Sequence, residues 1–348
     1  MSDGFFGTRV IAAPMAGGTS TVRFVEAVER SGGLGFLAAG YKTVDSMRDE
    51  VRAARSAGIR FGMNVFMPDM RQLQPSADER ERLERYRESL RGEAARYGVD
   101  VPPLKLDDDD AWQAKVDQLL LDPVELVSFT FGLPGSETVA RFRRAGSMVL
   151  ATITGRAEAE FARDRGVDAL VVQHGSAGGH SGAFLGEATR IAADSGGAST
   201  TADLVREVRA AAGLPVVAAG ALSDAGAVQS VLAAGAEAAQ VGTALLRTEE
   251  SGARQLHKDA LASDRFTETR PTRAFTGRYA RALVNEFVRD HGDAPEGYPA
   301  VHHLTAPIRA AAAAAGDAER LNLWAGTGWR KAQPGSVAEV MGTLLGGA

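Results

Sequence analysis

Short apolar runs recur along the chain, each followed by a turn, an amphipathic stretch of about three helical turns and a glycine, which is the pattern of a repeated βα unit. Eight runs predict strands: VIAAPMA (10 to 16), LGFLAA (34 to 39), RFGMNVFM (60 to 67), LVSFTFG (126 to 132), MVLATIT (148 to 154), ALVVQHG (169 to 175), PVVAAG (215 to 220) and AAQVGTALL (238 to 246). ALVV, PVVAA and MVLA are continuous rather than alternating, as strands buried on both faces must be, so the sheet is read as parallel. The intervening helices stop at Gly32, Gly58, Gly146, Gly166, Gly213 and Gly235, where a helix end needs a left-handed residue. Leu204, Val205 and Val208 mark one buried helix face, and Val228, Val231 and Leu232 mark another, with Ser223 as its expected N-cap. Eight units over about 250 residues fit a closed (β/α)8 TIM barrel better than an open doubly wound sheet.

Two segments fall outside the repeat. Residues 69–125 hold far more chain than one crossover helix needs and predict a helical insertion. Its acidic run Asp107 to Asp110 reads as a solvated, helix-capping surface, with no metal assigned. After residue 254 the strand pattern stops. Residues 1–254 are therefore expected to form the barrel, and 255–348 a smaller helical region over it, placed to bind substrate or act as a lid.

Composition narrows the chemistry. The 348 residues include no cysteine, which excludes disulfides, thiolate zinc sites and catalytic thiols and leaves redox work to a bound cofactor. With 39 Lys+Arg against 44 Asp+Glu, the net charge of −5 offers no footprint for nucleic acid or an anionic membrane. Asp3 stands where a signal peptide would be basic, and no apolar run approaches the roughly 20 residues of a membrane span, so a cytoplasmic location is expected. No HExxH or comparable metal spacing occurs.

A barrel of this kind carries its site at the C-terminal strand ends. Those ends read PMAGG, AAGY, NVFMP, TFGLP, QHGSAGGHSG, AAGALSD and QVGTALL, rich in small residues that let main chain approach a flat or phosphorylated ligand. Gly220-Ala221 and Gly242-Thr243 follow the last two strands, where barrels commonly bind a phosphate monoester. In the loop from Gln173 to Gly182, His180 is the candidate base for a carbon-bound proton, and His174 is read as a structural donor or acceptor. His257, His291, His302 and His303 are isolated in the C-terminal region, where only the His302-His303 pair is a candidate to face the pocket. Tyr279, Arg278, Tyr298, Trp324 and Lys331 are further lining candidates.

Together, APMAGG, FGMNVF, VVQHGSAGGHSG, VVAAGAL and QVGTALLRTEES resemble the nitronate monooxygenase family, formerly 2-nitropropane dioxygenases, which are FMN-dependent (β/α)8 enzymes. The resemblance extends to TRAFTGRYARALVN (272 to 285) and LWAGTGWRKA (323 to 332). It implies that Pro14, Met15 and Ala16 pass beneath the isoalloxazine, Asn64 hydrogen-bonds the ring, and Gln173 reaches the ring or ribityl chain. Gly178 and Gly179 would lie beside the cofactor. Gly220, Ala221, Gln240, Val241, Gly242 and Thr243 would hold its phosphate, and His180 would sit over the flavin. The implied partners are a nitronate or nitroalkane and O2.

The sequence departs from the family pattern at Ser176, often acidic, at Ala221, often glycine, and at Thr327, often Gln. Contacts made by the loop amides survive at Ala221 if its φ is negative. Two other readings share the motifs: an FMN-dependent NAD(P)H:quinone or enoyl-acyl-carrier-protein reductase, and a non-catalytic barrel that binds FMN or another phosphate ligand.

Overall fold

A computed structural model describes residues 5–185 and 198–346, so Asp3 lies outside the described residues. All eight predicted strands form: β1 (Val10–Ala12), β2 (Leu34–Ala38), β3 (Phe61–Phe66), β4 (Leu126–Thr130), β5 (Met148–Ile153), β6 (Ala169–Gln173), β8 (Val216–Ala219) and β9 (Ala238–Val241). They hydrogen-bond in parallel in that order and close into a barrel where Val10 pairs with Ala239. β7 (Gly179–His180) lies outside the ring. The six helix-stopping glycines all have left-handed backbone, with φ from 66° at Gly213 to 100° at Gly235.

The strand pleat divides two apolar cores. Ile11, Leu34, Phe36, Leu126, Leu150, Val171 and Val217 form one buried cluster, joined by Phe6 from just ahead of β1. Outward residues of the barrel strands, such as Met63, Val65, Phe129 and Val172, belong to the cluster shared with the surrounding helices. Gly62 is part of this design, because a Cβ there would run into the Phe36 ring. Burying an aromatic side chain of this size contributes up to about 3 kcal/mol.

Three local expectations are corrected. The helix Ala225–Ala233 is capped by Asp224, not Ser223; the Asp224 carboxylate accepts the Ala227 amide at 2.8 Å. The run Asp107 to Asp110 is solvated only at Asp107 and Asp109 and does not cap the helix: Ala111 holds the N-cap position of helix Trp112–Leu121 without a side-chain bond. Instead Asp110 pairs with the buried Lys115 at 2.8 Å and accepts the Tyr41 amide at 2.9 Å, while Asp108 contacts His303 at 2.7 Å. These carboxylates tie the insertion to the barrel and to the C-terminal region. That region is not helical throughout, since β10 (Thr269–Thr272) and β11 (Ala280–Leu283) join β7 in an antiparallel sheet of order β10-β11-β7.

The insertion adds helices Met70–Leu73, Ala77–Ser89 and Arg91–Ala95 before the crossover helix Trp112–Leu121. Leu83, Tyr86, Leu90 and Ala94 share a separate core with Phe275, Phe287, Val301, Leu304 and Ile308. Tyr86 also donates its hydroxyl to Ala274 O at 2.6 Å. Insertion and C-terminal region thus pack as one cover. Among the described residues no helix is long and apolar enough to cross a membrane.

Candidate active site

Pro14, Met15, Ala16, Asn64, Gln173, Gly178, Gly179, His180, Gly220, Ala221, Gln240, Val241, Gly242 and Thr243 all line one cavity of about 470 Å³. They come from strand ends or the turns beyond them, and the volume lies in the range of about 300–1,000 Å³ usual for small-molecule sites.

His180 is held by main chain on both sides. β7 pairs with β11 so that His180 faces Ala280, and Ser181 N donates to Tyr279 O at 2.8 Å. The Gln173 side chain fixes the same turn, donating to His180 O at 2.9 Å and accepting from Gly182 N at 2.7 Å. Its amide therefore positions the loop. One step on, buried Glu158 accepts the amides of Phe184 and Leu185. TRAFTGRYARALVN is explained by this lacing, which also includes Arg281 Nε to Gly175 O at 2.8 Å.

The imidazole lies 5.3 Å from the Trp324 ring and 5.7 Å from those of Phe131 and Tyr298, between centroids. Its Nε2 is 2.9 Å from Thr276 Oγ1, whose single proton is directed to Arg278 O at 3.2 Å. The tautomer with Nε2–H donating to Thr276 and the lone pair on Nδ1 satisfies both contacts at once. Burial, with the Arg278 and Arg309 charges nearby, pushes the imidazolium pKa down to about 3. The ring is neutral at physiological pH.

Two glycine loops and the segment LWAGTGWRKA close one end of the cavity. A Cβ on Gly178 would lie 2.5 Å from Gly326 N and 2.6 Å from Ala325 C, so main chain packs directly on main chain. Thr327 N donates to Ser176 O and Gly326 N to Thr243 Oγ1, both at 3.0 Å. Ser176 also holds His174 Nδ1 at 2.7 Å, which gives His174 the structural role expected of it. Ala221 has φ 53°, not a negative value, so the departure from glycine places an L-residue in the left-handed region. Asn64 donates Nδ2 to Ser128 Oγ at 2.8 Å and Thr130 Oγ1 at 3.0 Å. Its Oδ1 is left as an acceptor.

Residues of the C-terminal region complete the lining. Trp324 and His302, both candidates from sequence, line the cavity, and so do His257, Arg309 and Asn322, which sequence reasoning missed. His257 Nε2 is 3.0 Å from Trp324 O, a carbonyl that can only accept, so that nitrogen carries the proton; burial lowers its pKa to about 4. His302 stacks flat on Tyr41, centroids 4.4 Å apart, and burial followed by the Arg309 charge lowers it to about 2. The available signal was spacing: His302, Ala306, Arg309 and Ala310 recur on one face of helix Ala300–Ala314. Of the other candidates, Tyr298 reaches His180, and buried Arg278 lies over Phe131 while donating to Ser181 O. Tyr279 instead packs under Arg273, and Lys331 pairs with Asp224 at the surface. Among the described residues no Asp or Glu lines the cavity, whereas Arg254 and Arg309 do.

A closed parallel barrel with glycine-built loops, a neutral histidine and a cationic lining at its C-terminal mouth defines a small-molecule enzyme of the TIM-barrel class. Residues 2–347 match the family model described as nitronate monooxygenase, and the chain belongs to that family of oxidoreductases. A relative named probable nitronate monooxygenase from Staphylococcus aureus (strain Newman) is 33% identical over 343 residues, covering 97% of this chain and 93% of the relative. The solved structure of nitroalkane oxidase from Streptomyces ansochromogenes matches with TM-score 0.89 and 46% identity, covering 97% of this chain and 94% of that one. FabK from Thermotoga maritima matches at TM-score 0.72 and 22% identity, with 97% and 91% of the two chains covered, a likeness of fold alone.

Proposed function

We propose that the chain is an FMN-dependent nitronate monooxygenase that converts alkyl nitronates, with O2, to a carbonyl compound and nitrite. The observation that carries this reading is the charge of the cavity: its described lining holds two arginines, no carboxylate and a histidine kept neutral. Such a lining suits an anionic cofactor and an anionic substrate together.

The residues present fit FMN. Backbone at Gly220, Gly242 and Thr243 follows β8 and β9, where amides are free of bulky side chains to bind a phosphate; a Cβ on Gly242 would come no nearer than 3.6 Å to the atoms around it. Pro14, Met15 and Ala16 at one side, with Asn64 Oδ1 and the Gly178-Gly179 main chain, would hold the flavin ring. When bound, FMN supplies the two-electron acceptor and the reaction with O2.

His180 Nδ1 is the base that takes the α-proton of a neutral nitroalkane, and Thr276 sets the tautomer that leaves it free. Because Arg278 and Arg309 oppose protonation of that ring, proton removal is the harder entry and the preformed nitronate the easier one. Phe131, Tyr298 and Trp324 wall the ring and exclude water. The cover formed by the insertion and residues 255–348 closes over this chemistry as a substrate-binding lid. Anaerobic mixing tests the reading: an alkyl nitronate should bleach the bound flavin, and NADH should not. Bleaching by NADH with no response to nitronate would assign the chain to the reductases.

A further inference from the structure

Arg309 is a half-buried cation with no carboxylate partner among the described residues. Its Nε donates to Thr305 Oγ1 at 3.1 Å, Nη1 to Asn322 Oδ1 at 3.3 Å, and Nη2 to His302 O at 3.0 Å, with His302 Nδ1 at 3.3 Å. Every one of these partners is neutral. Among the described residues no carboxylate pairs with it, and burial lowers its pKa to about 10. Arg320, which is buried, shows the usual solution: Glu93, Glu286 and Asp290 surround it. An enclosed charge left on neutral acceptors is expensive unless a ligand completes it. Here the guanidinium borders the cavity, and Nη1 keeps a hydrogen for which no acceptor is used.

The neighbouring groups have the same polarity. Tyr41 stacks on His302 and borders the same cavity as Arg309. This wall offers donors and lies beside the His180 ring through Tyr298.

Resting on the nitronate reading above, we propose that Arg309 is the specificity-determining residue that reads substrate charge, binding the paired oxygens of a planar nitronate anion with the Tyr41 hydroxyl beside it. A nitronate carries its negative charge on two oxygens of one nitrogen, a spacing that a guanidinium edge matches. A neutral nitroalkane gains much less from the same contact. Arg309 thus sets the preference for the anion over its neutral conjugate acid.

The test uses the flavin-loaded protein, with nitrate as an inert planar probe carrying the same O–N–O unit. Nitrate binding is followed by the visible spectrum and by the nitrate-dependent rise in Tm; KM is measured for ethyl nitronate and for nitroethane. Arg309→Met should weaken nitrate binding and raise the nitronate KM by about tenfold or more, while shifting the nitroethane KM by no more than about twofold. Arg309→Lys should fall between, and it keeps the test decisive if the Met variant does not fold. Unchanged nitrate affinity and nitronate KM in either folded variant overturn the assignment. Loss of flavin with no change in nitrate-dependent Tm also overturns it, assigning Arg309 to the cofactor. If wild-type protein binds nitrate through Arg309 yet never consumes nitronate, the anion site stands and the proposed reaction fails.

Discussion

Gly178→Ala tests the joint between the glycine loop and the C-terminal segment. The added methyl would stand 2.5 Å from Gly326 N and 2.6 Å from Ala325 C, whereas non-bonded carbon atoms sit about 3.5–4.0 Å apart. Both neighbours are backbone, so relief requires the two segments to separate by about 1 Å, comparable to the overpacking that costs about 1–3 kcal/mol in cores. Separation stretches the bonds Thr327 N to Ser176 O and Gly326 N to Thr243 Oγ1, each 3.0 Å long and each worth about 1 kcal/mol. The sum is about 3–5 kcal/mol, which in a chain of 348 residues lowers Tm by about 4–7 °C. Gly155→Ala is the control, because Gly155 has extended backbone at φ −172° and no protein atom within 4 Å of the added methyl. Scanning calorimetry with flavin release on denaturation should show the control within about 1 °C of wild type, and Gly178→Ala destabilised and depleted of flavin. A Gly178→Ala protein with wild-type Tm and full flavin content would refute the packing argument.

Ala221→Gly should stabilise the fold by about 1 kcal/mol, raising Tm by about 1–2 °C, because it removes a left-handed alanine at φ 53°; a lower Tm would mean that the loop needs the methyl. Acid should destabilise the protein early. Unfolded histidines take up protons near pH 6.5, but His180, His257 and His302 resist until about 3, 4 and 2, so stability falls as pH drops below 6.5 at about 1.4 kcal/mol per ring per pH unit. Urea unfolding from pH 7 to 5 reads that slope, to which His174 and His291, also lowered by burial, add in the same direction; His257→Asn should flatten it in part, and a flat profile would contradict a neutral state for these rings. Thr276→Val removes the group that fixes the His180 tautomer, so turnover of nitroethane should fall by about tenfold or more while turnover of ethyl nitronate changes little. Equal losses on both substrates would assign Thr276 a structural role only.

The barrel was legible because its signals are local. Continuous apolar strands and glycines at helix ends need no knowledge of what packs where, and each of the six stops has the left-handed φ its position demanded. The sheet of β10, β11 and β7 was not legible. TRPT and ARAL carry arginines and a proline, and the two residues of β7 are too short to show a period, so their pairing is fixed by the loop they hold. Asp107 to Asp110 looked like a solvated run because the partners of Asp108 and Asp110 include the distant His303 and Tyr41. The same limit hid Arg309. It stands just ahead of an alanine-rich stretch that reads as a bland helix, and its importance comes from what surrounds it: a cavity edge, neutral acceptors and no carboxylate among the described residues. The strand-end candidates were found because barrel topology alone brings those ends together.

The most direct measurement is the visible spectrum of the purified protein, followed by denaturation to identify the released chromophore and by anaerobic addition of ethyl nitronate. The account predicts a yellow protein that releases FMN at one per chain and is bleached by the nitronate, with nitrite and a carbonyl compound appearing once air is admitted. A colourless protein that takes up no added FMN, or bound FMN that stays oxidised with the nitronate, would contradict it.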